Sequence, residues 1–370
     1  YPGTRLRDEP RREVDLPGLA NSFLLVFIKS VADFGNPITI GGNFPTLATQ
    51  IYFQAIGNYN IQGGTAVAIL LLIVSMCLYA LSKLWVEKKT FVTITGKASR
   101  ERVLIDEPHI AKPLSFSCLF VAVIVIGLYI LIPIVSVVKL WGIDYSLTLE
   151  NYKYAWSVGK AGLIDSTKMA LLATPVTGIL AMIISYLVVR RKFTGKRTME
   201  FAAMLGMTVP GTVMGIGYVL TFNTKPLVLT GTGIIIVLSY VFRYLPIGVR
   251  SGITSLKQID PSIEEAAADL GANSFKVFTT VTLPLIKTAF FGGLVYTFVK
   301  SMTSVSAVIF LVSAKYKLLT ISVLDQVDSG KFGVASAMST MLIVVVYIVI
   351  AILYYLLGKL GVNKKDIKLT

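Results

Sequence analysis

The sequence predicts an all-α, polytopic membrane protein, and three observations carry that prediction. Apolar residues make up 54% of the 370 and charged residues only 15%, with a mean hydropathy of +0.73; soluble domains are nearer a quarter charged. Several apolar runs reach the ~20 residues that a helix needs to cross a bilayer core. The basic residues behind the +15 net charge cluster beside those runs, as the positive-inside rule requires and as a nucleic-acid-binding surface does not.

Taken in order, residues 1–15 form a polar arm with Arg5, Arg7, Arg11 and Arg12. A first span is expected over 17–40, a short interfacial or re-entrant piece over 45–56, and a second span over 63–85. A cytoplasmic linker with seven Lys or Arg follows over 83–112. Six further spans are expected over 114–138, 163–189, 199–222, 230–248, 285–312 and 334–357, about eight in all. Arg190-Arg-Lys-Phe-Thr-Gly-Lys-Arg197 and a tail with Lys359, Lys364, Lys365 and Lys368 carry the other basic clusters. With the linker inside, alternation puts both clusters, the 259–284 loop and both chain ends in the cytoplasm, so charge and parity agree.

An internal repeat divides the chain. Phe27-Ile-Lys-Ser30 matches Phe298-Val-Lys-Ser301, and the flanking order of span, short amphipathic piece, glycine turn (Gly63-Gly64 against Gly330 and Gly333) and final span recurs. Residues 1–85 therefore read as the last part of a first unit, 86–113 as a linker, 114–358 as a complete six-helix unit and 359–370 as a tail. On this reading the chain is the later part of a longer chain with two similar units, and the first unit's counterpart of the 259–284 loop is missing apart from a stub near Asp15-Leu-Pro-Gly18.

The most telling stretch is Ile259-Asp-Pro-Ser-Ile-Glu-Glu-Ala-Ala-Ala-Asp-Leu-Gly271, continuing to Val281-Thr-Leu-Pro284. Asp260 can N-cap a helix with Pro261 in its first turn, and Ser262 with Glu265 offers an alternative capping box. The alanines propagate the helix and Gly271 ends it. Ile263, Ala267 and Leu270 then share one face, and Glu265 and Asp269 another. Pro284 can open the following span. A polar helix, a glycine elbow and a second short helix outside the bilayer make a docking surface.

Glu265-Ala266-Ala267, Gly271 and Leu283-Pro284 at this spacing resemble the EAA loop of ATP-binding-cassette (ABC) importer permeases, with Val281 where that pattern has Ile. The resemblance implies the type I importer permease fold, a MetI-like helical bundle, and makes this loop the coupling helix that sits in a cleft of a cytoplasmic ATPase dimer. The coupling residues it implies are Glu264, Glu265, Ala266, Ala267, Asp269, Gly271, Leu283 and Pro284. Ala32-Asp33-Phe34-Gly35-Asn36-Pro37 with Gly41-Gly42-Asn43-Phe44, then Phe91-Val-Thr-Ile-Thr-Gly-Lys97 and Lys139-Leu-Trp-Gly-Ile-Asp-Tyr-Ser-Leu-Thr-Leu-Glu-Asn151, are similar to the fused permeases of ferric-iron importers; residues 1–13 fit that pattern poorly. Permeases for polyamines, thiamine and 2-aminoethylphosphonate are related alternatives. The resemblance further implies a bacterial inner-membrane location, a periplasmic or lipid-anchored solute-binding protein, the missing N-terminal half of the permease, and ATP with magnesium on the partner ATPase and not on this chain.

No Gly-x-x-x-x-Gly-Lys-Ser/Thr loop occurs, since Gly159-Lys160, Gly195-Lys196 and Gly330-Lys331 each lack the final hydroxyl residue; any ATP hydrolysis then belongs to a partner. No nucleophile–base set and no metal-ligand spacing stands out, His109 is the single histidine, and Cys77 and Cys118 read as small core residues without a disulfide. Lys29, Asp33, Lys300 and Arg243 are polar groups inside apolar spans. Two readings stay open for them: snorkelling or interhelical pairing, with Lys29–Asp33 a helix pair, and a place on the transport path. Pro175, Gly206, Pro210-Gly211, Gly215 and Gly217 predict kinked or closely packed helices. An ion-coupled secondary transporter is the alternative class, but it needs intramembrane acids, which are scarce here.

Overall fold

A computed structural model describes residues 22–24, 26–81 and 108–359. The N-terminal arm, the start of the first predicted span, most of the linker and the tail beyond Lys359 lie outside the described residues. Among the described residues the regular structure is helical apart from one hairpin. Five helices are individually long and apolar enough to cross a bilayer: α4 (Ile61–Leu81), α5 (Pro108–Val137), α6 (Glu150–Arg190), α9 (Gly233–Gln258) and α14 (Phe332–Lys359). Two bent pairs raise the number to seven among the described residues.

The first predicted span, 17–40, is not one helix. A short apolar helix, α1 (Ser22–Val31), ends before Asp33, and α2 (Gly35–Ile40) starts afresh. The Asp33 carboxylate accepts a 2.6 Å hydrogen bond from Asn36, and side chains of this kind compete with helical bonding. Next comes α3 (Leu47–Tyr52), opened by a Thr46–Thr49 capping box and prolonged by a π turn over Phe53–Gly57. It backs so closely against α4 that a Cβ on Gly64 would stand 2.9 Å from Ala55 Cβ and 3.2 Å from the Ile51 carbonyl oxygen.

The predicted span 199–222 is likewise two helices, α7 (Lys196–Thr208) and α8 (Gly211–Phe222), bent by 111°. Val209 is extended because Pro210 follows it. At 1.5 Å per residue these 13- and 12-residue helices are each about 20 Å long, too short to cross alone. Gly206 lets α7 lie against α9: a Cβ there would stand 2.1 Å from the Phe242 carbonyl oxygen.

In contrast, α6 runs for 41 residues, beginning well before the expected 163. Residues 150–162 contain no proline, and the two glycines there, Gly159 and Gly162, stay helical where Leu319 and Met338 pack closely against the helix. Its buried hydroxyls bond back to their own helix, Thr174 to the Ala170 carbonyl (2.7 Å) and Thr177 to that of Ala173 (2.8 Å). Ser185 also reaches across to the Val249 carbonyl of α9 at 3.0 Å, opposite Gly252. Just ahead of α6, β1 (Val138–Leu140) and β2 (Asp144–Leu147) form an antiparallel hairpin. Asn151 ties it to α6 by donating to the Ser136 and Val138 carbonyls at 3.1 and 2.8 Å.

After α9 come α10 (Pro261–Asp269), α11 (Ser274–Val277), a π turn over Phe278–Thr282 and α12 (Leu283–Met302). The predicted span 285–312 ends early, at Met302. Thr320 donates to the Ser304 carbonyl and Thr303 to that of Val299 (2.8 and 2.9 Å), which replaces further helical turns. A 3₁₀ turn over Val308–Phe310 and α13 (Leu319–Asp328) lead into α14. The buried cores join α6 with α9 and α12, α12 and α13 with α14, and α3 and α4 with α8. α5 packs mainly along α14 and leaves most of its apolar surface outward, as suits a lipid-facing helix. Cys77 and Cys118 are exposed on α4 and α5, not in the core as expected, because both helices are apolar all round and the core takes only one side of each.

The repeat seen in four residues extends to whole elements. α1 and α12 end at Val31 and Met302, and α4 and α14 begin at Ile61 and Phe332, each pair 271 residues apart. The piece formed by α3 and its π turn has α13 as its counterpart. The two sets meet directly: Phe34, Ile51 and Ala55 share a core with Ile309, Phe310 and Leu324, and the Tyr52 ring lies edge-on to Phe310.

Candidate functional site

Two places gather the polar residues singled out in the sequence. The first is α10. Asp260 caps it by accepting from the Ser262 amide at 3.0 Å, with Pro261 in the first turn. That bond from Ser262 holds the Asp260 carboxyl below the usual carboxylate range, so the cap is complete above that range and is lost only as pH falls below it. The alternative box from Ser262 does not form. Gly271 ends the helix at φ +85°, with its amide on the Ala268 carbonyl and that of Ala272 on Ala267, a Schellman arrangement.

Glu264 and Glu265 have opposite fates. Glu265, Ala266, Asp269 and Gly271 are exposed, and Ala267 is half-buried. Glu264 turns inward. Its carboxylate meets Arg190 Nε at 3.0 Å and accepts from the Thr282 hydroxyl at 3.0 Å, while Arg190 Nη2 donates to the Ile259 carbonyl at 3.0 Å. The Arg190 and Glu264 side chains are only 11% and 12% exposed. One shielded ion pair thus binds the end of α6, the start of α10 and the π turn before α12. Neither Arg190 nor Thr282 was legible as part of this site. Arg190 looked like one more topological charge, and only the fold brings residues 74 and 18 positions away to Glu264. Leu283 packs on the small core of Met182, Leu256 and Ile286. Pro284 sits in the first turn of α12, where a missing N–H costs nothing.

The second place is a cavity of about 390 Å³ lined by α1, the α7–α8 break, α9, α12 and the turns after α1 and α12. Lys29, Asp33, Arg243 and Lys300 all line it. Lys29 and Lys300 are repeat counterparts, so each repeat contributes one lysine. Arg243 lies mid-helix in α9. It donates to Ser306 Oγ at 3.2 Å and lies 4.0 Å from Met214 Sδ, with its guanidinium where a Cβ of Gly211 would stand. The expected Lys29–Asp33 pair is absent among the described residues. α1 stops before Asp33, which removes the one-turn spacing, and Asp33 bonds Asn36 instead. Lys300 Nζ sits 5.9 Å from the centre of the Tyr296 ring. Ser304 and Ser306, which also line the cavity, were missed; the repeat could have flagged Ser304 as the counterpart of Asp33.

A bundle of membrane-length helices with a half-open cavity lined by charged side chains and a polar helix–glycine elbow fits a transport component. The profile of the family described as "Binding-protein-dependent transport system inner membrane component" matches residues 173–360. The chain belongs to that family. It is 40% identical over 359 residues to the "Ferric transport system permease protein FbpB" of Actinobacillus pleuropneumoniae, covering 95% of this chain and 52% of that protein. It is also 40% identical to the "Putative ferric transport system permease protein FbpB 1" of Haemophilus influenzae, over 82% of this chain and 49% of that one. The chain therefore spans about half the length of these curated relatives. Among solved structures, a bacterial ABC transporter involved in the import of the acidic polysaccharide alginate shares the fold, with a TM-score of 0.53 at 12% identity over 67% of this chain and 96% of that one.

Proposed function

We propose that the chain forms the translocation pathway of an ABC importer, with α10 as its coupling helix. The solute is ferric iron, handed over by a periplasmic or lipid-anchored binding protein. A cytoplasmic ATPase dimer carries the ATP and magnesium and supplies the energy. The names of the two relatives support the iron assignment. On this reading both chain ends are cytoplasmic, and the remainder of a longer permease completes the path in the bacterial inner membrane.

One observation carries the reading. α10 is anchored on one side through Glu264 while its apolar residues point away, Leu270 at 89% and Ile263 at 46% exposure, followed by Phe275 at 76%. A short helix that leaves such a surface uncovered is fitted for a partner. Closure of the ATPase dimer then pushes α10, and the Arg190–Glu264 pair passes the push to α6 and α12 as a rigid-body movement.

The test is Gly271→Val. A Cβ added at Gly271 meets nothing within 4 Å, so the main penalty is the left-handed backbone, about 1–2 kcal/mol. The elbow should be redirected, with ATP-driven uptake abolished and expression unchanged. Uptake at the normal rate in this variant, or wild-type uptake insensitive to vanadate, would overturn the reading.

A further inference from the structure

The wall of the cavity lined by α1, α9 and α12 is unbalanced in charge. Three cations line it, Lys29, Arg243 and Lys300, against a single carboxylate, Asp33. Among the described residues none of the three cations has an ion-pair partner. Arg243 bonds only a neutral hydroxyl and approaches a thioether, and Asp33 is already engaged by Asn36. Unbalanced charge inside a membrane protein is expensive unless a ligand or water answers it. Ser304, 6% exposed, lines the same space and its hydroxyl has no partner. The first residue of α8, Gly211, also faces the cavity, so the positive end of that 12-residue helix adds to the field.

This wall suits an anion and repels a bare trication. A hard cation needs several oxygen anions around it, and here the cations outnumber the carboxylates. Guanidinium, ammonium and hydroxyl donors are the groups that bind phosphate and carboxylate oxygens. A volume of about 390 Å³ falls in the range of about 300–1,000 Å³ that accommodates small organic ligands, well beyond a single ion.

We propose that the cavity receives its solute as an oxyanion, held between Lys29 of one repeat, Lys300 of the other and Arg243. Two sources share that chemistry: an anionic chelate of ferric iron, and an iron-free phosphate or carboxylate compound. The proposal rests on the cavity being the transport path.

The experiment uses the complete permease containing this chain, reconstituted in vesicles with its ATPase and binding protein. Uptake is followed with ⁵⁵Fe citrate, [¹⁴C]citrate, [³²P]phosphate and a [³²P]phosphate monoester, and equilibrium binding of the same probes is measured on the permease and ATPase alone, without ATP or binding protein. At least one oxyanion label should bind and accumulate. Lys29→Gln, Lys300→Gln and Arg243→Gln should each weaken its binding at least tenfold, with Lys29→Arg and Lys300→Arg retaining most of it. Entry of ⁵⁵Fe together with [¹⁴C]citrate identifies the chelate; entry of an oxyanion without iron identifies the second source and removes the iron assignment alone. Entry of ⁵⁵Fe unaccompanied by any oxyanion label, and undiminished in the Gln variants, overturns the proposal while leaving the importer reading intact. Tight binding of an oxyanion without ATP-driven uptake supports the site and overturns the importer reading instead.

Discussion

Among single residues, Glu264 and its neighbour make the sharpest contrast. Adjacent acids on a helix point about 100° apart, so one can bond inward while the other stays free. Glu264 is fixed by Arg190 and Thr282, and Glu265 is exposed. Removing one partner from a shielded pair leaves an uncompensated charge, a loss of about 3 kcal/mol. Arg190→Gln should therefore loosen α10, seen as faster protease cleavage around residue 265 and slower uptake. The exchange Arg190→Glu with Glu264→Arg should recover part of both, whereas Glu265→Gln should leave cleavage unchanged. Which acid faces inward was not legible from the sequence, because its partners lie far along the chain and only the fold brings them together. The cap by Asp260 and the stop at Gly271 were legible because both depend on immediate neighbours.

Between elements, proline and the local Asp–Asn bond decide where apolar runs break. Hydropathy located every long run but read 17–40 and 199–222 as continuous, since it averages over the residues that interrupt them. The α7–α8 break matters because it brings Gly206 to Gly211 onto the cavity wall. Gly206 is the test position: Gly206→Ala sets a methyl 2.1 Å from the Phe242 carbonyl oxygen, and backbone atoms cannot swing aside. Separating α7 from α9 should cost about 1–3 kcal/mol, measurable as a lower melting temperature in detergent. Unchanged melting would mean that the crossing is looser than described. The repeat, seen as Phe-x-Lys-Ser at two places, proved to pair element ends as well. Matching the pairs residue by residue would have drawn attention to Ser304.

For the molecule as a whole, α6 fixes the sidedness. Its 41 residues reach about 60 Å at 1.5 Å per residue, twice the ~30 Å of the hydrocarbon core. The hairpin is bonded to its first turn and α10 to its last. Cysteines introduced at Ile143 and Ala268, both exposed, should react with an impermeant maleimide from opposite sides of the membrane; labelling from the same side would refute this arrangement. Charge clustering and span parity predict the same sidedness, and the linker and most of the tail charges behind that prediction lie outside the described residues.

α9 and α12 hold that rod along its second half, around Gly178, Met182 and Ser185, while α13 and α14 brace its first half at Ala155, Gly159 and Gly162. A nudge delivered at Arg190 would therefore travel down one braced strut toward whatever protein leans on the hairpin at the other end.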